Sequence, residues 1–497
     1  MKPYVLVTGA TGYVGGRLVP RLLASGYKVR AAARSLKKLQ SRPWATDANL
    51  DCVYADFFDP YSLDKALEGC DAAYYLVHSM GPEHEDFSKA DKEAAQNFLA
   101  AAKKNHLKQI IYLGGLGESN PSLSKHLASR AEVGNILRHG TVPVTTLRAA
   151  MIIGSGSASF EILRYLVERL PIMITPKWVF TATQPIAIKN VIHYLIGCLE
   201  CEATKGHTFD IGGPDIVNYR NLMEIYAEEV GLAKRLIIPV PFFTPKLSSY
   251  WIHFVTPVGK SIARPLTEGL RNETICRENH IQKLIPQTLI SYREAIHLAL
   301  ERYRNHEIET HWTDAGVLPP LETIYPGDPS WSGGTVYLDC RSMVVEGSLK
   351  EVWGPIVGIG GEHGWYYGNA LWQLRGIMDL FFGGVGLKRG RRDPDKVNTG
   401  DALDFWRVVD VVDEKRLFLR AEMRLPGDAY LEFKLKQLNN NHVEVTQTAR
   451  FAPKGLLGIL YWYAVTPLHH FVFNGMLNGI AKAGKIAIVI PPTVTTL

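Results

Sequence analysis

Three groups of residues carry spacing that chemistry would use. Gly9-Ala10-Thr11-Gly12-Tyr13-Val14-Gly15 stands where an apolar run of strand type gives way to a helical period. Gly9 permits a tight turn, Gly12 lets backbone amides approach a pyrophosphate, and Gly15 lets the helix lie close on the strand. Phosphates held there face the positive end of the helix. The motif predicts a dinucleotide site, with Thr11, Tyr13 and Val14 contributing to the loop. The second group ends the next strand, Val29-Arg30-Ala31-Ala32-Ala33-Arg34-Ser35, with Lys37 and Lys38 following. An acid at that point would bond the ribose hydroxyls and repel a 2′-phosphate. None is present, and Arg34 is placed to pair with that phosphate in the forked geometry of a guanidinium. NADP(H) is therefore the expected cofactor and NAD the alternative; a solvated surface arginine is the plainer reading of Arg34. Asp56 is placed to hold the adenine amino group or to join Asp59 and Pro60 in capping a helix, and Phe57, Val77 and Gly114 complete the expected cofactor contacts.

The third group is protonic. His126 and Arg130 lie four residues apart on a helix that begins near residue 122. Histidine passes protons near neutral pH, and an arginine beside it stabilises an oxyanion or holds a ribose. A surface histidine and a salt-bridged arginine are the plainer alternative. His78 and Ser79 end the fourth strand at the carboxyl edge of the sheet, where ligands of such folds bind, and form a second candidate cluster. Gly154-Ser155-Gly156-Ser157, at the same edge, is read as lining the nicotinamide or substrate pocket.

The elements that must position these residues follow from periodicity. Strands are expected at 5–7, 28–33, 51–54, 72–77, 109–113 and 144–147, and helices at 12–24, 62–67 and 87–105. Tyr74 and Tyr75, inside the fourth strand, are expected in the core. Alternation of this kind predicts an α/β doubly wound Rossmann domain over residues 1–305. Its later part, including Pro241-Phe242-Phe243 and Tyr250-Trp251, is irregular and covers the substrate, and a helix is expected at 292–304. A proline-rich linker is expected at 306–332, an α+β ligand domain at 333–485 and a tail at 486–497. In that second domain the period changes to two: Leu417, Leu419, Ala421 and Met423 alternate with charged or outward residues, as do Ala429, Leu431, Phe433 and Leu435, then Val443, Val445, Ala449 and Phe451. This predicts an antiparallel meander with one buried face.

At 497 residues, two domains are the natural expectation. A composition 46% hydrophobic and 21% charged is that of a folded chain, and a net charge of +6 does not argue for nucleic acid. No signal-peptidase pattern precedes the first strand, so a cytoplasmic location with six reduced cysteines is expected. Cys198-x-x-Cys201 has no second pair at zinc spacing and is read as two helix positions, with no metal expected. Residues 455–483 carry no Asp or Glu and no cation before Lys482, but Pro467, His469, His470, Asn474 and Asn478 are costly in lipid. A helix packed across the meander is expected there, not a membrane span. Peripheral membrane contact through Tyr461-Trp462-Tyr463, Trp365-Tyr366-Tyr367 or Phe381-Phe382 stays open, as does their use as a cavity lining.

Val7-Thr8-Gly9 to Gly15, Ala55-Asp56, Tyr112-Leu113-Gly114-Gly115-Leu116, Gln184-Pro185-Ile186 and Phe209-Asp210-Ile211-Gly212-Gly213-Pro214 together resemble the short-chain dehydrogenase/reductase superfamily, in its atypical, extended, epimerase-like or NmrA-like branch. The second half resembles an uncharacterised domain often fused to that branch and, more distantly, the START/polyketide-cyclase helix-grip fold. The resemblance implies a Tyr and a Lys four residues apart as the proton-transfer pair, but no tyrosine stands on the relevant helix. His126 and Arg130 occupy that spacing instead, and Gly114 or Gly115 replaces the serine expected beside them. Two functions are therefore expected in competition. One is an NADP(H)-dependent oxidoreductase acting on a bulky apolar carbonyl, quinone or isoprenoid-like substrate. The other is a non-catalytic NADP(H)-binding redox sensor or ligand-binding protein. Oligomeric state is left open.

Overall fold

Strands buried on both faces read as unbroken apolar runs. Tyr4–Thr8 (β1), Ala72–Tyr75 (β4) and Gln109–Gly115 (β5) are of this kind in the computed structural model, which describes residues 2–40, 42–78, 87–117, 123–240, 260–300, 332–381, 397–439 and 441–495. The chain divides into two compact units, 1–334 and 335–497.

In the first unit these strands join Lys28–Ala33 (β2), Leu50–Tyr54 (β3), Val144–Ala149 (β6) and Thr208–Ile211 (β7). The sheet runs β7-β6-β5-β4-β1-β2-β3, and every pair is parallel. Its order reverses between β1 and β4, which opens a crevice at their carboxyl ends. Tyr13–Ala24 (α1) and Ile188–Glu200 (α7) cover one face with Leu18, Leu22, Val191 and Leu195. Pro60–Leu67 (α3), Phe87–Lys104 (α4) and Lys125–Arg138 (α5) cover the other with Leu63, Phe98 and Val133. Leu36–Gln40 (α2), not expected from the sequence, follows β2. Tyr74 and Tyr75 are buried in the core.

The expected substrate-covering region packs a cluster of its own from Ala158–Arg169 (α6), Tyr219–Glu229 (α8), Lys260–Gly269 (α9) and Tyr292–Leu300 (α10), with Phe160, Leu163, Trp178, Tyr226 and Ile296 at its centre. The aromatic segment at 241–259 and residues 301–331, nearly all of the expected linker, lie outside the described residues.

The second unit is a seven-stranded antiparallel sheet. Tyr337–Glu346 (β8), Ala402–Leu403 (β9), Trp406–Val412 (β10), Arg416–Ala421 (β11), Gly427–Asn439 (β12), His442–Pro453 (β13) and Ile488–Val494 (β14) run in the order β9-β10-β11-β12-β13-β8-β14. The meander is present, but its outward face is not simply solvated. Phe418 stacks on Tyr430, and the buried Glu432 meets Arg416 at 2.6 Å and Arg450 at 3.2 Å. Burial alone would raise the Glu432 pKa, and Lys434, Arg416 and Arg450 outweigh it and hold the carboxylate below its ordinary range.

The expected tail at 486–497 is not borne out over its described residues, 486–495, because β14 pairs antiparallel with β8. The β-branched run from Ile488 suits a strand, and Pro491 and Pro492 are tolerated because an edge strand has one row of amides without a ladder partner. Leu349–Val357 (α11), Asn369–Phe381 (α12) and Gly455–Ala483 (α13) complete the unit. α13 is long and apolar enough to cross a membrane. In this unit it lies on the sheet through Val472, Phe473, Met476, Leu477 and Ile480, and it leaves Leu457, Tyr463 and Phe471 exposed.

Candidate active site

The glycine loop leaves space for a pyrophosphate because its own side chains are missing where the backbone crowds. Gly9 has φ +62°, and a Cβ on Gly15 would stand 2.4 Å from the Gly9 carbonyl oxygen, so α1 approaches β1 more closely than any side chain allows. Thr8 fixes the turn from below. Its Oγ1 donates to the Tyr74 carbonyl at 2.8 Å and accepts from the Leu76 amide at 3.1 Å, locking β1 to β4. The α1 N-terminus begins at Gly12 with no side-chain cap and no acid in its first turn. Such an end favours an anion.

Two arginines missed by the sequence reading hold this loop. Arg17 is fully buried. It donates to the Tyr13 carbonyl at 3.1 Å and the Ser155 carbonyl at 2.9 Å, with its guanidinium 4.1 Å from the Tyr13 ring centroid. Arg42 donates to the Thr11 carbonyl at 2.5 Å. Residues 154–157 are held from two sides: Arg17 holds Ser155, and the buried Glu161 carboxylate accepts from the Gly156 amide at 2.8 Å. Contrary to expectation, they are not part of the wall of the cavity described below.

Arg34 is exposed at the end of β2. Asp56 follows β3, and its carboxylate accepts from the Phe58 amide at 3.0 Å, while Asp59 caps α3. The Phe57 side chain is turned away from the loop and stacks on Phe98 in the core. Val77 is half-buried beyond β4, packed against the same core. Val14 and Gly114 both reach the cavity wall. Ser79 lies outside the described residues.

The two histidine clusters expected separately are one. His78 Nε2 and His126 Nδ1 are 3.0 Å apart, and His78 Nδ1 is 2.7 Å from Asp91 Oδ2, which also accepts from Ser129 Oγ at 2.8 Å. A carboxylate on Nδ1 fixes the His78 proton there. Its Nε2 then accepts from His126 Nδ1–H, and His126 Nε2 is the nitrogen left for a bound group. Burial lowers the pKa of His78 against the opposing pull of Asp91. Burial, then His78 and Arg130, push that of His126 well below the ordinary value. Both shifts favour the neutral rings. Arg130 is an anchor: its Nη2 donates to the Leu113 carbonyl at 2.8 Å, and its own carbonyl accepts from Tyr112 Oη at 2.9 Å. Asp91 had a signal in the sequence, since it stands on the apolar stripe of α4 with Ala94, Ala95 and Phe98.

His126 and Arg130 face a cavity of about 250 Å³ at the carboxyl edge of β5 and β6. Most of its other lining is apolar, including Leu163, Leu166 and Met223, with Ser159, Tyr219, Thr267 and Thr274 also on the wall, and among the described residues His126 and Arg130 are its only basic side chains. Among the described residues no group of three or more His, Cys, Asp or Glu is disposed to hold a metal ion. Cys198 is buried in α7, where burial pushes its thiol up to about 12.

Comparison with known proteins gives two family matches. Residues 9–161 match an NAD(P)H-binding family, and residues 331–476 match a protein family of unknown function, DUF2867. The chain is 33% identical over 129 residues to dihydroflavonol 4-reductase of Callistephus chinensis, covering 24% of this chain and 35% of that protein. It is 23% identical over 307 residues to the mitochondrial NADH dehydrogenase [ubiquinone] 1 alpha subcomplex subunit 9 of Arabidopsis thaliana, covering 58% of this chain and 75% of that subunit. Thus it spans about a third of the length of the first relative and three quarters of the second. Among solved structures, the Citrobacter triphenylmethane reductase complexed with NADP(H) aligns with a TM-score of 0.49 and 22% identity, covering 60% of this chain and 99% of that one.

Proposed function

We propose, from the premise that the N-terminal part is an NAD(P)-binding Rossmann domain of the atypical short-chain dehydrogenase/reductase branch, that this chain is an NADP(H)-dependent reductase of a bulky apolar carbonyl compound. The observation that carries this reading is His126, set on the wall of a mostly apolar cavity and joined through His78 to a buried carboxylate. The glycine loop and the uncapped α1 terminus bind the pyrophosphate, and Arg34 pairs with the 2′-phosphate. The bound cofactor supplies the hydride.

His126 supplies the proton. Its imidazolium, disfavoured by burial, is a strong acid, and its Nε2–H donates to the carbonyl oxygen of a substrate in the cavity. Asp91 offsets the positive charge through His78, and Arg130 keeps α5 against β5 so that the ring faces the cavity. Leu163, Leu166 and Met223 exclude water and select an apolar body. NADPH consumption with a panel of quinones and aldehydes tests this reading. His126→Ala is expected to lower turnover about a hundredfold or more and leave NADPH affinity unchanged.

A second reading, NADP(H) binding without turnover, is favoured by the missing Tyr and Lys pair. Tight NADPH binding with no consumption across the panel selects it.

A further inference from the structure

Arg130 carries a charge that no described residue pairs. Of its N–H donors only one on Nη2 is committed, to the Leu113 carbonyl, and its guanidinium lies 5.9 Å from the Tyr112 ring centroid. Among the described residues it has no carboxylate partner. Asp91 is turned to His78 and Ser129 instead. Arg130 is half-buried, and its Nε and Nη1 are not closed off from solvent. It stands on the wall of the cavity that His126 faces, and among the described residues no Asp or Glu lines that cavity. A cation beside apolar walls gives up part of its hydration, and an anion entering the same space restores the balance.

Helical spacing sets where that anion sits relative to the proton donor. His126 and Arg130 are four residues apart on α5, so they share one face of the helix one turn apart, with Cβ atoms about 5–6 Å from each other. A carbonyl oxygen at His126 and a carboxylate at Arg130 can therefore belong to one short segment of one molecule. The rest of that molecule meets Leu163, Leu166 and Met223, which take an apolar chain and offer an anion nothing.

We infer, resting on the reductase reading above, that the carbonyl compound taken by this cavity is an oxo acid with an apolar tail, its carboxylate paired with Arg130 and its carbonyl oxygen with His126. Arg130 is then a specificity-determining residue as well as an anchor of α5. The carboxylate takes no part in the bond changes. The carbonyl carbon gains a hydride from the cofactor, its oxygen gains the proton from His126, and the products are a hydroxy acid and the oxidised cofactor.

The test is titration calorimetry on the full chain with saturating oxidised cofactor, so that no reduction occurs, using 2-oxooctanoate and its methyl ester, which keeps the carbonyl and the tail and loses the charge. The acid is expected to bind at least about tenfold more tightly than the ester. Arg130→Gln, which keeps a donor for the Leu113 carbonyl and removes the charge, is expected to bring acid and ester within about twofold of each other, and Arg130→Lys to retain part of the preference. Equal binding of acid and ester by the parent chain overturns the inference, whether or not the variants fold. So does an acid preference that Arg130→Gln keeps, and if that variant weakens NADPH instead, the charge serves a cofactor phosphate. NADPH consumption is followed separately. Consumption with neutral carbonyl compounds and no acid preference overturns this inference alone, whereas acid-selective binding lost in Arg130→Gln, without consumption of NADPH, supports the anion site and overturns the reductase reading.

Discussion

Asp91→Asn tests the proton path at its far end without touching the cavity. In the native chain Asp91 is buried at 3% exposure, and Oδ2 accepts from His78 at 2.7 Å and from Ser129 at 2.8 Å. Asparagine keeps the shape but removes the charge. If its amide donates to His78 Nδ1, the His78 proton moves to Nε2, where it meets His126 Nδ1 and reverses the tautomer of both rings. If its oxygen accepts instead, the imidazolium formed in turnover loses its counter-charge. A hydrogen bond to a charged group contributes about 1.5–3 kcal/mol, which corresponds to roughly ten- to a hundredfold in rate at about 1.4 kcal/mol per decade. We expect kcat with NADPH and an active carbonyl substrate to fall by that factor, with NADPH affinity within about twofold of the parent. The pH–rate profile moves with it: reduction needs protonated His126, so the rate rises as pH falls, and loss of Asp91 shifts that rise to lower pH. Stopped-flow measurement of the hydride step across pH separates this from product release. A variant that keeps its turnover within twofold and its profile unshifted would refute the path.

Three further outcomes are expected. His78 and His126 have folded pKa values below their ordinary value of 6.5, so the unfolded chain binds more protons as pH falls through that value. Their stability contribution is complete above pH 6.5 and is lost as the pH falls below it, and calorimetry should show a smaller acid-side decline in melting temperature for His126→Gln. Arg34→Ala should weaken NADPH about tenfold or more and NADH little, whereas titration calorimetry showing equal losses would remove the 2′-phosphate assignment. Gln447 is 1% exposed on the core-facing side of β13, between Val445 and Ala449, and neither end of its amide is hydrogen-bonded. Gln447→Leu should therefore stabilise the chain by about 1–3 kcal/mol in denaturant titration, and a loss of stability would show that the amide has a partner in solution.

Local sequence determined the parts of this protein that depend on backbone conformation and period. The glycines at 9, 12 and 15, the apolar runs of β1 to β6 and the two-residue alternation of β11 to β13 each state a local geometry, and that geometry is what folded. His126 was legible as a candidate by its residue type and place. Its partners were not, because Asp91, His78 and His126 come from α4, the end of β4 and α5, and only packing of the two helices on the sheet brings them within 3.0 Å. The roles of Arg17 and Phe57 were likewise decided by packing: one guanidinium turned inward to two carbonyl groups, and one ring turned into the core. The last strand shows the same division. The β-branched residues after 486 carried the propensity for a strand, but a strand needs a partner to bond its amides, and that partner, β8, lies about 150 residues earlier in the chain, where only the closed sheet brings it alongside.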